Sequence, residues 1–305
     1  MIHHVFANRT NIGDLLAARG IQRLLAPLPI VEHLCDTPFV PETLAALAKL
    51  DQSDLVVIGG GGLFMDYFMP FWSGFAGLAP RLRYCLWGVG YCDLKREHSR
   101  PETGLIRRIA AASALNALRD ALTMRITGVD GEPVPCSSVC AVAEEPPGRG
   151  VLHVDNYTTA GADVFDSMQT ACERYAALTE RPLRRTNNRI RDSAEALEDT
   201  LSRYRAADVV VSSALHGCVI ALAMGRRTVA VSGDWKIESF MQMAGMDDWV
   251  LDIGEVSKLG DLLQRMERQP DARAFLEMAR RRNEHVAARV RALATSEARN
   301  TTGAV

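Results

Sequence analysis

Apolar residues in this chain fall into two kinds of run. Short, largely β-branched stretches cover Ile2 to Ala7, Asp54 to Ile58, Arg83 to Trp87, Val151 to Asp155, 208–212 and Thr228 to Val231. Between them lie longer stretches whose apolar positions recur at helical spacing. After Asn11-Ile12-Gly13-Asp14, residues Leu15, Leu16, Ile21, Leu24 and Leu25 share one stripe. Glu102 to Ala117 repeats this with Leu105, Ile106, Ile109 and Ala112, and Gly161 to Thr179 with Val164, Phe165, Met168, Cys172 and Tyr175. Further helices are expected around Asp192–Ala206, Ile237–Ala244, Val256–Arg268 and Asp271–Leu293, with a short edge strand at Trp249–Leu251. Strands alternating with helices predict α/β architecture with parallel sheets.

Turn formers concentrate between residues 131 and 150 (Pro133, Pro135, Pro146, Pro147, Gly148, Gly150), which marks a linker. The predicted halves are 1–145 and 146–305, facing each other across a cleft at their strand ends.

The segment from Asp208 to Gly225 carries the strongest chemical signal. An apolar strand ends in Ser212-Ser213, His216 falls at the bend, and an Ala/Leu/Ile-rich helix begins at once. Open α/β sheets bind ligands at that edge, and a helix amino terminus favours an anion. His216 is therefore either a proton donor for an anionic substrate or a core histidine with satisfied nitrogens. A helix terminus depresses its pKa, so the imidazole rests neutral until an anion restores the proton.

Other positions also admit two readings. Gly59-Gly60-Gly61-Gly62 lacks dinucleotide and P-loop spacing and is either a tight strand-to-helix turn or a ligand-approaching loop. Asn11 and Asp14 are natural helix caps, while Asp14 could also hold or deprotonate a sugar hydroxyl. Arg119-Asp120, expected to close the helix before the linker, is a surface pair or a guanidinium fork for carboxylate or phosphate. Lys236 follows another strand at the same sheet edge, where it could meet phosphate. Arginines 181, 184, 185, 189 and 191 occupy a polar loop read as a solvated or anion-attracting face.

Composition narrows the classes. A net charge of -2 over 305 residues gives no basic field for bulk nucleic-acid or anionic-membrane binding. Seven scattered cysteines read as reduced thiols of a cytosolic protein. Cys136 and Cys140 have no second pair nearby to complete a metal set, so no metal is expected. The start, Met1 to Phe6, is unlike a signal peptide, and no apolar run approaches the ~20 residues of a membrane span. A soluble, cytoplasmic protein is expected.

Taken in order, these motifs resemble the polysaccharide pyruvyl transferase family. Asn11 to Asp14 follows the first strand, Asp54 to Gly62 runs into Leu63-Phe64 and Asp66, and Leu86 to Gly90 comes next. Arg119-Asp120, Ser212 to Gly217, and Lys236 with Phe240 complete the set. The resemblance implies two Rossmann-like domains in a GT-B-like arrangement. It also implies transfer of a pyruvyl group from phosphoenolpyruvate, as co-substrate with no cofactor, onto two hydroxyls of a saccharide or glycolipid acceptor.

On this likeness His216 and Asp14 are catalytic, and the donor side comprises Arg119, Ser212, Ser213, Leu215, Gly217 and Lys236. The acceptor side comprises Asn11, Gly60, Gly61 and Gly62. The family pattern Ser-x-Arg-Leu-His-Gly is broken by Ala214 in the arginine's place. Another cation, Arg119, Lys236 or one of the 181–191 arginines, must then hold the donor. Two other functions fit the same frame: a sugar-nucleotide glycosyltransferase, and a non-catalytic saccharide- or anion-binding homologue.

Overall fold

A computed structural model describes residues 1–156 and 161–295. They form two parallel α/β units, six strands in the first sheet and five in the second. The first contains β1 (Ile2–Phe6), α1 (Ile12–Leu25), β2 (Ile30–Leu34), α2 (Val40–Leu47), β3 (Leu55–Phe64), α3 (Met69–Leu78), β4 (Tyr84–Tyr91), α4 (Thr103–Ala112), β5 (Leu115–Leu118), α5 (Ala121–Thr127) and β6 (Glu132–Pro133). The second contains β7 (Gly150–Val154), α6 (Ala162–Leu178), β8 (Leu183–Thr186), α7 (Ala194–Ala206), β9 (Ala207–Ser212), α8 (Leu215–Ala223), β10 (Arg227–Ser232), α9 (Trp235–Met243), β11 (Val250–Asp252) and α10 (Leu259–Leu263). Helix α11 (Arg273–Thr295) ends the described chain.

Strand order is β2-β1-β3-β4-β5-β6 in one sheet and β11-β10-β9-β7-β8 in the other. Both reverse direction between their first strand and the strand two elements on, β1/β3 and β7/β9. Such a switch point opens a crevice beyond the carboxyl ends of the strands. The central strands β3, β4, β7 and β9 are almost wholly buried, as continuous apolar runs in a helix-covered parallel sheet should be.

Several expectations are corrected. The four glycines form neither a turn nor a loop: β3 runs through them to Phe64. Glycine is needed there because β4 on one side and α1 on the other approach so closely. A Cβ on Gly59 would lie 1.9 Å from the Trp87 carbonyl oxygen, and one on Gly60, at φ +77°, 2.8 Å from Ala17 Cβ. The expected helix Glu102–Ala117 stops at Ala112, and Leu115–Leu118 is strand. Arg119-Asp120 therefore ends a strand, and Asp120 caps α5 by accepting from Thr123 N. The arginine-rich segment contains edge strand β8.

Helix α11 crosses back to the first unit. Val286, Ala287 and Val290 join a core with Ile2, Ile21, Leu25 and Trp87. Asn283 accepts from Trp87 Nε1 at 2.9 Å and donates to the Pro135 carbonyl at 2.9 Å. Two further clasps join the units near their sheet edges. Ile12 N donates to Asn188 O (3.0 Å) and Ile190 N to Thr10 O (2.8 Å). On the other side Lys95 N donates to Gly233 O (2.9 Å), and the Lys95 ammonium contacts Glu238 and Asp252 and lies 4.4 Å from the Trp235 ring centroid. No helix of the described residues is long and apolar enough to cross a membrane.

Candidate active site

Both switch points open onto one cavity of about 160 Å³. The first unit lines it with Asn11 and Asp14 after β1, Gly62 of β3, Cys92 after β4 and Arg119 after β5. The second contributes Asn156, the Asn187–Arg189 segment after β8, Ala214 to His216 after β9, and Lys236 after β10. Every one of these positions lies at or just beyond the carboxyl end of a parallel strand.

His216 occupies the first turn of α8, and its ring fits only because position 13 lacks a side chain: a Cβ on Gly13 would lie 1.9 Å from Nδ1. Nε2 sits 3.6 Å from the Cys136 thiol, which comes from the linker between the units. Burial, then Lys236 and Arg119, push the imidazole pKa down to about 3, so it rests neutral.

Asp14 stands in the first turn of α1, behind the cap in which Asn11 accepts from Gly13 N at 2.9 Å. Burial raises its carboxyl to about 6. Lys236, Arg189 and Arg119 oppose this and Asp36 adds to it. Gly61 leaves room for that carboxylate, since a Cβ there would lie 2.7 Å from Asp14 Oδ1.

Two fixed cations face these groups. Arg119, 3% exposed, uses Nε on Asp120 (2.8 Å) and Nη2 on the Tyr91 carbonyl (2.5 Å), while Nη1 has no partner among the described residues. The guanidinium fits because Gly90 has no Cβ, which would lie 2.1 Å from Cζ. Burial works against its charge, but Asp120 raises its pKa further. Lys236 is held by Asp234 (2.7 Å) and reaches Cys92 Sγ at 3.2 Å. Burial again opposes the charge and Asp234 again prevails, raising its pKa. Arg189 provides a third cation, exposed at the rim.

The structure thus gathers Asn11, Asp14, Gly62, Arg119, Leu215, His216 and Lys236. Four other candidates lie behind the wall, and Gly60 stays within β3. Ser212 Oγ accepts from Ala214 N and donates to Ala214 O, and Ser213 Oγ accepts from Asn156 N. Gly217 gives α8 close approach to β9, since its Cβ would lie 2.1 Å from Ser212 Oγ, and Gly61 only backs Asp14. The hydroxyls of Ser212 and Ser213 therefore shape the bend and do not line the cavity. With Ala214 small, positive charge comes from Arg119, Lys236 and Arg189. Sequence reasoning missed Cys92, Cys136, Asp234 and the asparagines at 156, 187 and 188, which no local pattern distinguishes from ordinary loop residues.

Two parallel α/β units meeting at opposed strand ends define a GT-B fold. The same fold is seen in S. aureus MnaA bound to UDP (TM-score 0.55, 8% identity, 93% of this chain and 91% of that one). It recurs in the UDP-GlcNAc 2-epimerase of Methanocaldococcus jannaschii (0.54, 9%, 92% and 98%) and that of Neisseria meningitidis bound to UDP-GlcNAc (0.52, 8%, 97% and 99%). No curated protein matches the chain. The family model for polysaccharide pyruvyl transferase matches residues 11–234, and the chain belongs to that family.

Proposed function

We propose that the protein transfers the pyruvyl group of phosphoenolpyruvate onto two hydroxyls of a saccharide, forming a cyclic ketal and releasing phosphate. The observation carrying this reading is the convergence of His216, Asp14, Arg119 and Lys236 on one small cavity. At about 160 Å³ it lies below the ~300 Å³ at which pockets begin to hold drug-sized ligands. That favours a three-carbon anion as its occupant.

Arg119 and Lys236 neutralise donor charge. His216, charged once the donor's negative charge offsets those cations, gives its proton to the methylene carbon. Carbon 2 becomes electron-poor and a sugar hydroxyl adds, its proton passing to the Asp14 carboxylate. The C–O bond to phosphate then breaks, the phosphate leaving with the bonding pair and taking the proton held by Asp14. The second hydroxyl closes the ring and its proton returns to the neutral His216.

The test is incubation with phosphoenolpyruvate and a panel of glycans, following phosphate and a mass gain of one pyruvate less one water. Wild-type protein that releases no phosphate with any member, while His216→Gln behaves identically, would remove this reading.

A further inference from the structure

The linker between the units carries a thiol up to the imidazole. Cys136 precedes a short turn, Ser137–Cys140, that is tied to α1 where Ser137 Oγ donates to Ala17 O at 2.8 Å. The side chain is 1% exposed, and burial raises its pKa, so the thiol keeps its proton at neutral pH.

Its sulfur has two polar neighbours, His216 Nε2 at 3.6 Å and Ser138 Oγ at 3.2 Å. Counting protons gives both contacts a direction. The Ser138 hydroxyl has one proton and donates it to Gly13 O at 3.5 Å, so towards the sulfur it accepts. The thiol proton then goes to Ser138 Oγ, and towards the imidazole the sulfur accepts. A neutral ring has one N–H, which this chain of donors places on Nε2. Nδ1 has no hydrogen-bond partner among the described residues and is not sealed from solvent, and His216 lines the cavity. A Cβ on Gly13 would cover that nitrogen at 1.9 Å, so glycine leaves it open.

We propose that Cys136 is a positioning residue: by accepting from Nε2 it holds His216 in the Nε2–H tautomer, so that Nδ1 takes up the proton on donor binding and delivers it to the methylene carbon. This rests on the reading of His216 as the acid of pyruvyl transfer. Once the ring is charged both nitrogens carry protons, and the sulfur supports the imidazolium from Nε2 without competing for Nδ1.

The experiment is long-range proton–nitrogen correlation spectroscopy on the full chain, isotope-labelled at histidine, at pH 7 without substrate. His216→Gln assigns the two ring nitrogens. Wild type should show a protonated Nε2 and a bare Nδ1. Cys136→Val leaves Nε2–H buried without an acceptor, a cost that moves the proton to Nδ1, where solvent in the cavity can accept it. The signature should therefore invert, while Cys136→Ser keeps an acceptor and the wild-type tautomer. In turnover with phosphoenolpyruvate the valine variant should lose about tenfold in kcat with KM unchanged, and the serine variant should regain most of it. A proton on Nδ1 of the wild type overturns the proposal, whatever any variant does. So does a Cys136→Val protein, folded by its melting temperature, that keeps the wild-type tautomer or kcat. The tautomer is read without turnover, so a failure of ketal formation counts against pyruvyl transfer and leaves this result readable.

Discussion

The imidazole of His216 fills the space that a side chain at Gly13 would occupy, with Nδ1 only 1.9 Å from where that Cβ would stand. The two residues belong to different units, one at the start of α1 and the other at the start of α8. The absence of one methyl group therefore lets the first unit present Asp14 and the second present His216 to the same cavity.

Gly13→Ala should consequently damage function more than stability. Overpacking a tight site costs about 1–3 kcal/mol, whereas a reacting group displaced by about 1 Å loses on the order of 10²-fold in rate. Phosphate release and chemical denaturation, measured on the same preparation, separate the two. An alanine variant turning over at the wild-type rate would show that the ring position does not matter.

Asp14 makes stability depend on pH in a definite direction. Its carboxyl is raised from 3.8 to about 6 in the folded protein, so between those values the folded state keeps a proton that the unfolded chain has lost. Stability falls as pH rises through that window. The shift corresponds to roughly 3 kcal/mol, which partial solvent exposure reduces to about 1–2 kcal/mol. Asp14→Asn removes the penalty. Its melting temperature should exceed the wild type's at pH 8, and the difference should vanish near pH 4. His216 acts with the opposite sign, because its depressed pKa costs stability as pH falls from 6.5 towards 3. An Asp14→Asn advantage that grows in acid would contradict the assigned environment.

Arg119 is expected to serve fold and ligand at once. Burial opposes the charge of Asp120, but Arg119 and Thr123 hold its carboxyl below the usual range. Arg119→Met leaves that carboxylate buried without its partner, a defect worth about 3–5 kcal/mol. Arg119→Lys restores charge but not the fork that serves Asp120, the Tyr91 carbonyl and the cavity together. It should fold more stably than the methionine variant yet bind phosphate about tenfold more weakly than wild type. Equal phosphate affinity in wild type and Arg119→Lys would place the guanidinium outside the binding site.

How much of this was legible in the chain depended on how local each cause was. The bend before His216 announced itself because a buried parallel strand is a continuous apolar run and Ser212-Ser213 breaks it. Strand β8 carried no such signal. Arg184 and Arg185 are exposed on an edge strand, where charge guards against unwanted pairing and hides the alternation. Leu115–Leu118 continued a helical apolar pattern for only four residues, so strand and helix read alike. The glycines of β3 misled because their density suggests a turn, whereas their cause is Trp87 on a neighbouring strand and Ala17 on a helix. Cys136 and Asn188 matter through contacts some 80 and 176 positions away along the chain, with His216 and Ile12. No window on the sequence contains such a cause.

Donor binding should take up a proton. At a pKa of about 3 the empty protein carries His216 charged in only about one molecule in 10⁴ at pH 7. To act as the acid it must be raised about four pH units, which requires roughly 5 kcal/mol of favourable interaction. A unit negative charge at about 4 Å supplies roughly 4 kcal/mol at an effective dielectric of 20, and a phosphate dianion correspondingly more. The donor's own charge is thus sufficient, and binding and protonation are coupled. Calorimetric titration at pH 7 with phosphoenolpyruvate, in buffers of different ionisation enthalpy, should report close to one proton gained per molecule bound. Asp14, with a pKa of about 6, could contribute a fraction of this. His216→Gln decides between them: it should bind the donor yet lose most of the uptake, with turnover falling about 10²–10⁴-fold. If wild type binds donor with no proton gained, His216 stays neutral in the complex and cannot be the group that protonates the methylene carbon.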